Sequence, residues 1–324
     1  MDDASIPASQ CGAVKHAKKY LEGSGYDLVS FELLEDRFFS TLFSVKARSD
    51  SDPSLVEFVL KVGKTHRNGR YEYEQYQFLR SLGVNTLSPV FFSEELNYLI
   101  TKKEDITPVS SYLKVSNERQ SSDVAKKFGK FIDDLRSKFD QAVQFDSHQF
   151  IVGVKKRVDR IGFISLASKK SVMHEVIDLA ADLSACLHPS CLFSDFAFGN
   201  VHLDAKGNIM LLDLGDASVS LLAETIAYIY LTCIFIFPNT PASRRKKVSM
   251  YKDICRQIDL SGVSNKAIRI FVIKHILNMM DFAEKKSCLD SGFKGFVRKI
   301  YNYTYDNDLR KELSVSRDYL ALVS

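Results

Sequence analysis

Phe193-Ser-Asp-Phe-Ala-Phe-Gly-Asn-Val-His-Leu-Asp-Ala-Lys-Gly-Asn-Ile-Met-Leu-Leu-Asp-Leu-Gly-Asp216 is the stretch on which the reading of this chain turns. Two short runs, Asn200–Leu203 and Ile209–Asp213, flank the turn-forming tetrapeptide Asp204-Ala-Lys-Gly207. The pattern predicts a hairpin entered by a loop that carries Asp195. A hairpin returns the chain to its starting end, so Asn200 and Asp213 are expected near the same end of the pair. Three oxygen-bearing side chains, those of Asp195, Asn200 and Asp213, would then converge at one rim. Phosphoryl transfer needs such a set. Mg²⁺ prefers hard oxygen ligands and takes one or two carboxylates beside substrate phosphates. A further carboxylate must orient the attacking hydroxyl and accept its proton. Taken singly, Asp195 and Asn200 read equally well as turn residues, and Asp213 as a strand-ending Asp beside Gly215.

Upstream, Gly12–Gly23 places Val14, Ala17, Tyr20 and Leu21 at helical spacing. Leu28–Leu34, Thr41–Ala47 and Leu55–Val62 are rich in β-branched and aromatic residues, with Asp50-Ser-Asp-Pro53 as punctuation. They predict three antiparallel strands. Arg70–Leu82 predicts a helix stopped by Gly83, and short strands follow near Val90–Ser93 and Tyr98–Thr101. Residues 1–101 thus form an α+β lobe with a five-stranded antiparallel sheet. Residues 102–108, a polar connector, are the expected hinge. Residues 109–324 form a mainly helical lobe, with helices at Ser122–Phe139, Ser171–Leu187, Ala217–Phe237, Ala242–Ile258, Lys266–Lys286 and Phe293–Tyr303.

The order D-x4-N, hairpin, then two apolar residues and D-x-G resembles the protein-kinase-like superfamily. It is most similar to the aminoglycoside phosphotransferase and choline kinase branch. The resemblance covers roughly residues 28–237 and implies a bilobal fold, ATP and Mg²⁺. By position it implies Asp195 as catalytic base, Asn200 as a Mg²⁺ ligand and Asp213 as the principal one. Lys61, in Phe58-Val-Leu-Lys-Val62, matches the lysine that contacts the nucleotide phosphates. Its carboxylate partner is expected on the following helix, with Glu74 preferred and Glu72 the alternate. Ser40 and Thr41 are expected to donate hydroxyls to the nucleotide, and Glu104, in the connector, is grouped with the nucleotide-binding residues. Two departures stand out. The family's His two residues before the catalytic Asp is Phe193 here, and Glu35–Thr41, where kinases place phosphate-covering glycines, holds none.

The chain has 324 residues, 45% hydrophobic and 26% charged, which excludes fibrous and disordered classes. Its start lacks a secretory pattern. Leu221–Phe237 is short for a membrane span and broken by Glu224, Thr225 and Thr232, so a buried helix is expected. The six scattered cysteines suit a reducing, cytoplasmic setting. Cys186-Leu-His-Pro-Ser-Cys191 lacks the second ligand pair of a structural zinc site and reads as a helix end followed by a strand.

Charge divides unevenly: residues 217–324 hold 17 Lys/Arg against 10 Asp/Glu, including Arg244-Arg-Lys-Lys247, whereas residues 1–216 hold 27 against 30. A basic last third disfavours a polycationic acceptor. The expected substrate is therefore a small-molecule hydroxyl on a neutral or anionic sugar or glycan precursor. Nucleic acid is not expected as a partner, and peripheral membrane contact through the basic third is the one membrane role left open. The short passage from Asp213 to the next helix, with no Ala-Pro-Glu motif, offers no platform for a peptide. A pseudokinase scaffold and an atypical protein kinase are the alternatives. Asp216 reads as the cap of the helix starting at Ala217, and Glu224 as a satisfied buried acid; either could instead face the acceptor.

Overall fold

The computed structural model describes residues 10–36, 40–50, 52–64, 69–162, 165–235 and 241–285. The helix expected at Phe293–Tyr303 lies outside them. The chain divides into two compact units, one of residues 1–111 with 199–217 and the other of 112–198 with 218–324.

The first unit opens with α1 (Cys11–Gly23), followed by β1 (Tyr26–Asp36), β2 (Ser40–Ser49) and β3 (Asp52–Gly63). After α2 (Gly69–Ser81) come β4 (Pro89–Ser93), β5 (Tyr98–Lys102) and β6 (Ile106–Pro108). The first five strands form one sheet in the order β1-β2-β3-β5-β4, antiparallel at every pairing. Ala13, Val14, Ala17 and Leu21 of α1 share a core with Phe43, Val45, Ala47, Phe58, Leu60, Val62 and Ile100. Period-2 strands and a period-3.6 helix each contribute one apolar face, which is what fixes the register. Gly83 ends α2 at φ +73°, a left-handed position that glycine adopts without steric cost.

The expected hairpin is present as β9 (Val201–Asp204) and β10 (Ile209–Leu211), with Leu211 opposite Val201. Its turn is closed by Asp204, whose carboxylate accepts the N–H groups of Lys206 (2.9 Å) and Asn208 (2.8 Å). The connector is not wholly irregular: β6 pairs with β9, giving a three-stranded sheet β10-β9-β6. On the other side Thr86 Oγ1 donates to Leu211 O (2.7 Å) and Asn85 Nδ2 to Ile209 O (3.0 Å). These bonds satisfy backbone groups that a lone hairpin would leave exposed.

The second unit comprises most of α3 (Val109–Val115), then α4 (Glu118–Lys138), β7 (Ala142–Gln144), α5 (Ser147–Arg160), α6 (Leu166–Leu183) and β8 (Leu187–Phe193). It resumes with β11 (Ser218–Leu221), α7 (Leu222–Phe235), α8 (Pro241–Cys255) and α9 (Asn265–Lys285). A full capping box starts α4: Asn117 Oδ1 accepts from Gln120 N, and Gln120 Oε1 from Asn117 N, both at 2.9 Å. Arg160 of α5 forks onto Asp281 of α9 at 2.9 and 2.7 Å. The helix expected from Ala217 begins instead at Leu222. Ser218–Leu221 is drawn into a ladder with β8, and pairing to an existing strand outweighs helical continuation. Asp216 is therefore no helix cap; it is the exposed last residue of a 3-10 turn, Leu214–Asp216, whose Leu214 is buried.

Cys186 Sγ lies 3.6 Å from His188 Nε2, which itself meets Leu183 O at 2.8 Å, and Cys191 is buried against Ile132 O. No group of three or more His, Cys, Asp or Glu side chains placed to hold a metal ion occurs among the described residues, and none of their helices is long and apolar enough to cross a membrane.

Gly129 of α4 lies against the C-terminal end of α8 and the residues that follow it. A Cβ there would run into Ile254 O and Gln257 Cβ. Backbone cannot yield as a side-chain tip does, so Gly129→Ala should destabilise by about 1–3 kcal/mol. A urea titration would show this as a lower midpoint with an unchanged slope.

Candidate functional site

In the first unit, Lys61 of β3 is the centre of an ionic cluster. Its Nζ donates to both oxygens of Glu72 (3.0 and 2.8 Å) and to Asp213 Oδ1 (2.9 Å). Glu72 is 6% exposed, whereas the Asp213 carboxylate is largely open to solvent. Burial pushes the Lys61 pKa down, but attraction from Glu72 and then Asp213 overcomes it, and the ammonium titrates above its usual range.

Tyr76, fully buried, ties the cluster together. Its hydroxyl donates to Glu72 Oε1 (3.1 Å) and accepts the Asp213 N–H (3.0 Å). Burial, reinforced by the Glu72 charge, raises this phenol well above its ordinary pKa, so it stays a donor. Asp213 itself sits in the left-handed region at φ +57°, ψ +61°. Asp tolerates that region better than most residues, at some cost. The Tyr76 bond holds its backbone there. Across the hairpin end, Leu212 N–H donates to Asn200 O (3.0 Å), so Asn200 and Asp213 do share one end of β9–β10.

The preferred partner of Lys61, Glu74, is corrected to the alternate, Glu72. Glu72, Tyr76 and Leu79 fall at i, i+4 and i+7 and form the buried stripe of α2. Glu74 is two residues round from Glu72 and pairs at the surface with Arg70, one turn back (3.0 Å). Thr41 is also corrected. It is fully buried, its hydroxyl donating to Asp36 Oδ1 (2.6 Å) and accepting from Gln10 Nε2 (2.7 Å). Its one O–H is thereby taken by Asp36 and not offered to a nucleotide. Ser40 is buried beside it. Residues 37–39, between β1 and β2, lie outside the described residues. Glu104 Oε1 is 3.4 Å from the Ser88 hydroxyl.

In the second unit, Asp195 lies on the loop after β8. Its Oδ1 accepts the Ala197 N–H (3.1 Å) and the hydroxyl of Tyr228 from α7. Phe193, where the resembled family has His, stacks on His275 at 5.4 Å between ring centres and meets Tyr228 edge-on at 5.6 Å. An apolar ring fills the place. Behind these rings Glu224, 3% exposed, is contacted by the Lys274 ammonium and the Ser220 hydroxyl, with His275 Nε2 at 3.4 Å. It is the satisfied buried acid. Tyr76 was findable from its spacing to Glu72. Tyr228 and His275 carry no such signal, because their partners are distant in the chain.

By sequence, no family model and no curated protein matches the chain. By structure it is similar to the choline kinase LicA from Streptococcus pneumoniae, with a TM-score of 0.59 at 16% identity over 90% of this chain and 98% of that one. A choline/ethanolamine kinase family protein from Mesorhizobium loti gives 0.62 at 13% identity, covering 96% and 98%. APH(2")-IIa, in a ternary complex with streptomycin and ATP, gives 0.60 at 16% identity, covering 94% and 99%. The fold is thus the bilobal protein-kinase-like one, a small antiparallel-sheet lobe and a larger helical lobe.

The Glu224 cluster ties stability to pH. Burial alone would raise the Glu224 pKa, but His275 and Lys274 hold it down at about 2, against 4.5 for a free side chain. A depressed carboxylate contributes stability that is present above its unfolded pKa and lost as pH falls toward the folded one. The amount is on the order of 3 kcal/mol. Burial also depresses His275, which unfolding frees to take a proton below about pH 6.5, so its effect has the same sign. Urea midpoints should fall from pH 7 to pH 5 and again toward pH 3. In Glu224→Gln the pH 7 midpoint should already be low and the second drop shallower.

Proposed function

We propose that this chain is an ATP- and Mg²⁺-dependent phosphotransferase acting on a hydroxyl of a small molecule. The observation that carries the reading is Lys61 held jointly by Glu72 and Asp213. A lysine fixed by a buried glutamate, with a second, solvent-facing carboxylate alongside, presents one cation to phosphate and one anion to metal. The solved structures of similar fold support it, since several are of kinases or phosphotransferases and some were determined with ATP, ADP or AMP-PNP.

In this reading Lys61 contacts the nucleotide phosphates. Glu72 and Tyr76 keep its ammonium in place. The Asp213 carboxylate and the Asn200 amide oxygen, hard donors at one hairpin end, suit Mg²⁺. Bound Mg²⁺ would supply charge neutralisation on the β- and γ-phosphate oxygens. Asp195 accepts the proton of the acceptor hydroxyl as that oxygen bonds to the γ-phosphorus and the bond to ADP breaks. The basic last third of the chain favours a neutral or anionic acceptor, a sugar or glycan precursor, and ATP as donor fits a cytoplasmic setting.

Thermal unfolding with Mg²⁺ and ATP tests the nucleotide half. At a hundredfold excess over Kd, binding should add about 2.7 kcal/mol of stability. Lys61→Ala should abolish the shift and Glu72→Gln should weaken it, while Glu74→Gln should leave it intact. No shift in the unaltered chain would favour a scaffold that has lost the nucleotide. For the chemistry, ADP release across a panel of sugars and sugar phosphates should become acceptor-dependent. Asp195→Asn should lower that rate roughly 10²–10⁴-fold while the ATP shift persists.

A further inference from the structure

We propose that Tyr228 is a positioning residue for the Asp195 carboxylate, holding it in the rotamer from which it takes the acceptor proton. This rests on the reading of Asp195 as base. Asp195 Oδ1 accepts two hydrogen bonds from different directions, the Ala197 N–H at 3.1 Å and the Tyr228 hydroxyl. The first comes from the loop itself and moves with it. The second comes from α7, so it pins the carboxylate to a helix of the second unit's core. Two donors on one oxygen restrict the rotation of the carboxylate about its last bond.

The tyrosine is itself held. Its ring meets Phe193 at 87° and 5.6 Å and His275 at 78° and 5.0 Å, and those two stack on each other at 19° and 5.4 Å. Edge-to-face contacts of this kind are directional as well as apolar. Phe193 stands two residues before Asp195, so the clamp grips the same stretch of chain that carries the carboxylate. His275 comes from α9, where its neighbour Lys274 pairs with Glu224, one turn before Tyr228 on α7. Burial and the Asp195 charge raise the Tyr228 pKa, which keeps the phenol a donor across the physiological range.

The test is steady-state ADP release from Mg·ATP by the full chain. Water is one acceptor, and the fastest member of the sugar and sugar-phosphate panel is the other. Tyr228→Phe keeps the ring clamp and removes the hydroxyl. It should lower kcat about 10–100-fold, with the KM for ATP within about twofold. Asp195→Asn combined with Tyr228→Phe should be no slower than Asp195→Asn by itself, because a positioning residue has nothing left to position. A merely structural tyrosine would change the melting temperature and lower kcat additively with Asp195→Asn.

If Tyr228→Phe does not fold, Phe193→Leu loosens the same clamp with the hydroxyl retained. It should lower kcat about 3–10-fold, again without further effect in an Asp195→Asn background. Full activity in Tyr228→Phe, or in Phe193→Leu where that variant substitutes for it, alongside an inactive Asp195→Asn, would overturn the role of Tyr228 and leave Asp195 as base. An active Asp195→Asn, or an unaltered chain without turnover, would overturn the reading of the base and the positioning role with it.

Discussion

The Lys61 ammonium is the point on which the first unit's functional geometry depends. Three segments that share no local structure, β3, α2 and the turn after β10, meet because one cation attracts a carboxylate from each of the other two. A buried Glu72 without that cation would be a desolvated, unpaired charge, which is strongly destabilising. An ammonium without carboxylates would itself be poorly placed. Tyr76 adds a second link, since one hydroxyl serves both Glu72 and the Asp213 backbone. The strained left-handed conformation of Asp213 persists because its surroundings over-determine it.

The second unit solves a related problem with other materials. Its acid, Glu224, is more deeply buried than Asp195, and its neighbours on α9, Lys274 and His275, supply a cation and a polar ring. The rings of His275 and Tyr228, 5.0 Å apart, connect this internal cluster to Asp195. The arrangement distinguishes two carboxylates by environment, one committed to holding α7 against α9 and one only partly buried on a loop. Differences of this sort let chemically identical groups take different tasks.

Much of this was legible in the sequence. The strands of the five-stranded sheet announce themselves through alternation and β-branched content, and the hairpin through its turn residues. The elements that escaped are short or atypical. Three- and four-residue strands such as β6, β7 and β11 are too brief to show a period, and they exist because a partner strand waits for them. Helix α5 contains Ile151, Val152 and Val154, residues of middling helix propensity, and packing overrides that preference. The choice of Glu72 over Glu74 was available from the spacing of Tyr76 and Leu79. The pairing of Asp195 with Tyr228, 33 residues apart, was not. Nor could the sequence reveal that Thr41 is sealed inside by Gln10 and Asp36.

The first unit is discontinuous, and that shapes how it can be made. Its sheet is encoded by residues 26–102, yet residues 112–198 belong to the other unit before the hairpin at 199–217 returns. Lys61 and Asp213 are 152 positions apart. On a ribosome the small sheet can close around α1 early, but β6 has no strand to pair with until β9 has emerged. Closing so long a loop is slow, because its entropy is lost before the contact rewards it. The lysine therefore meets its glutamate first and its aspartate last, and the ionic cluster around Lys61 is completed only after most of the chain has been synthesised.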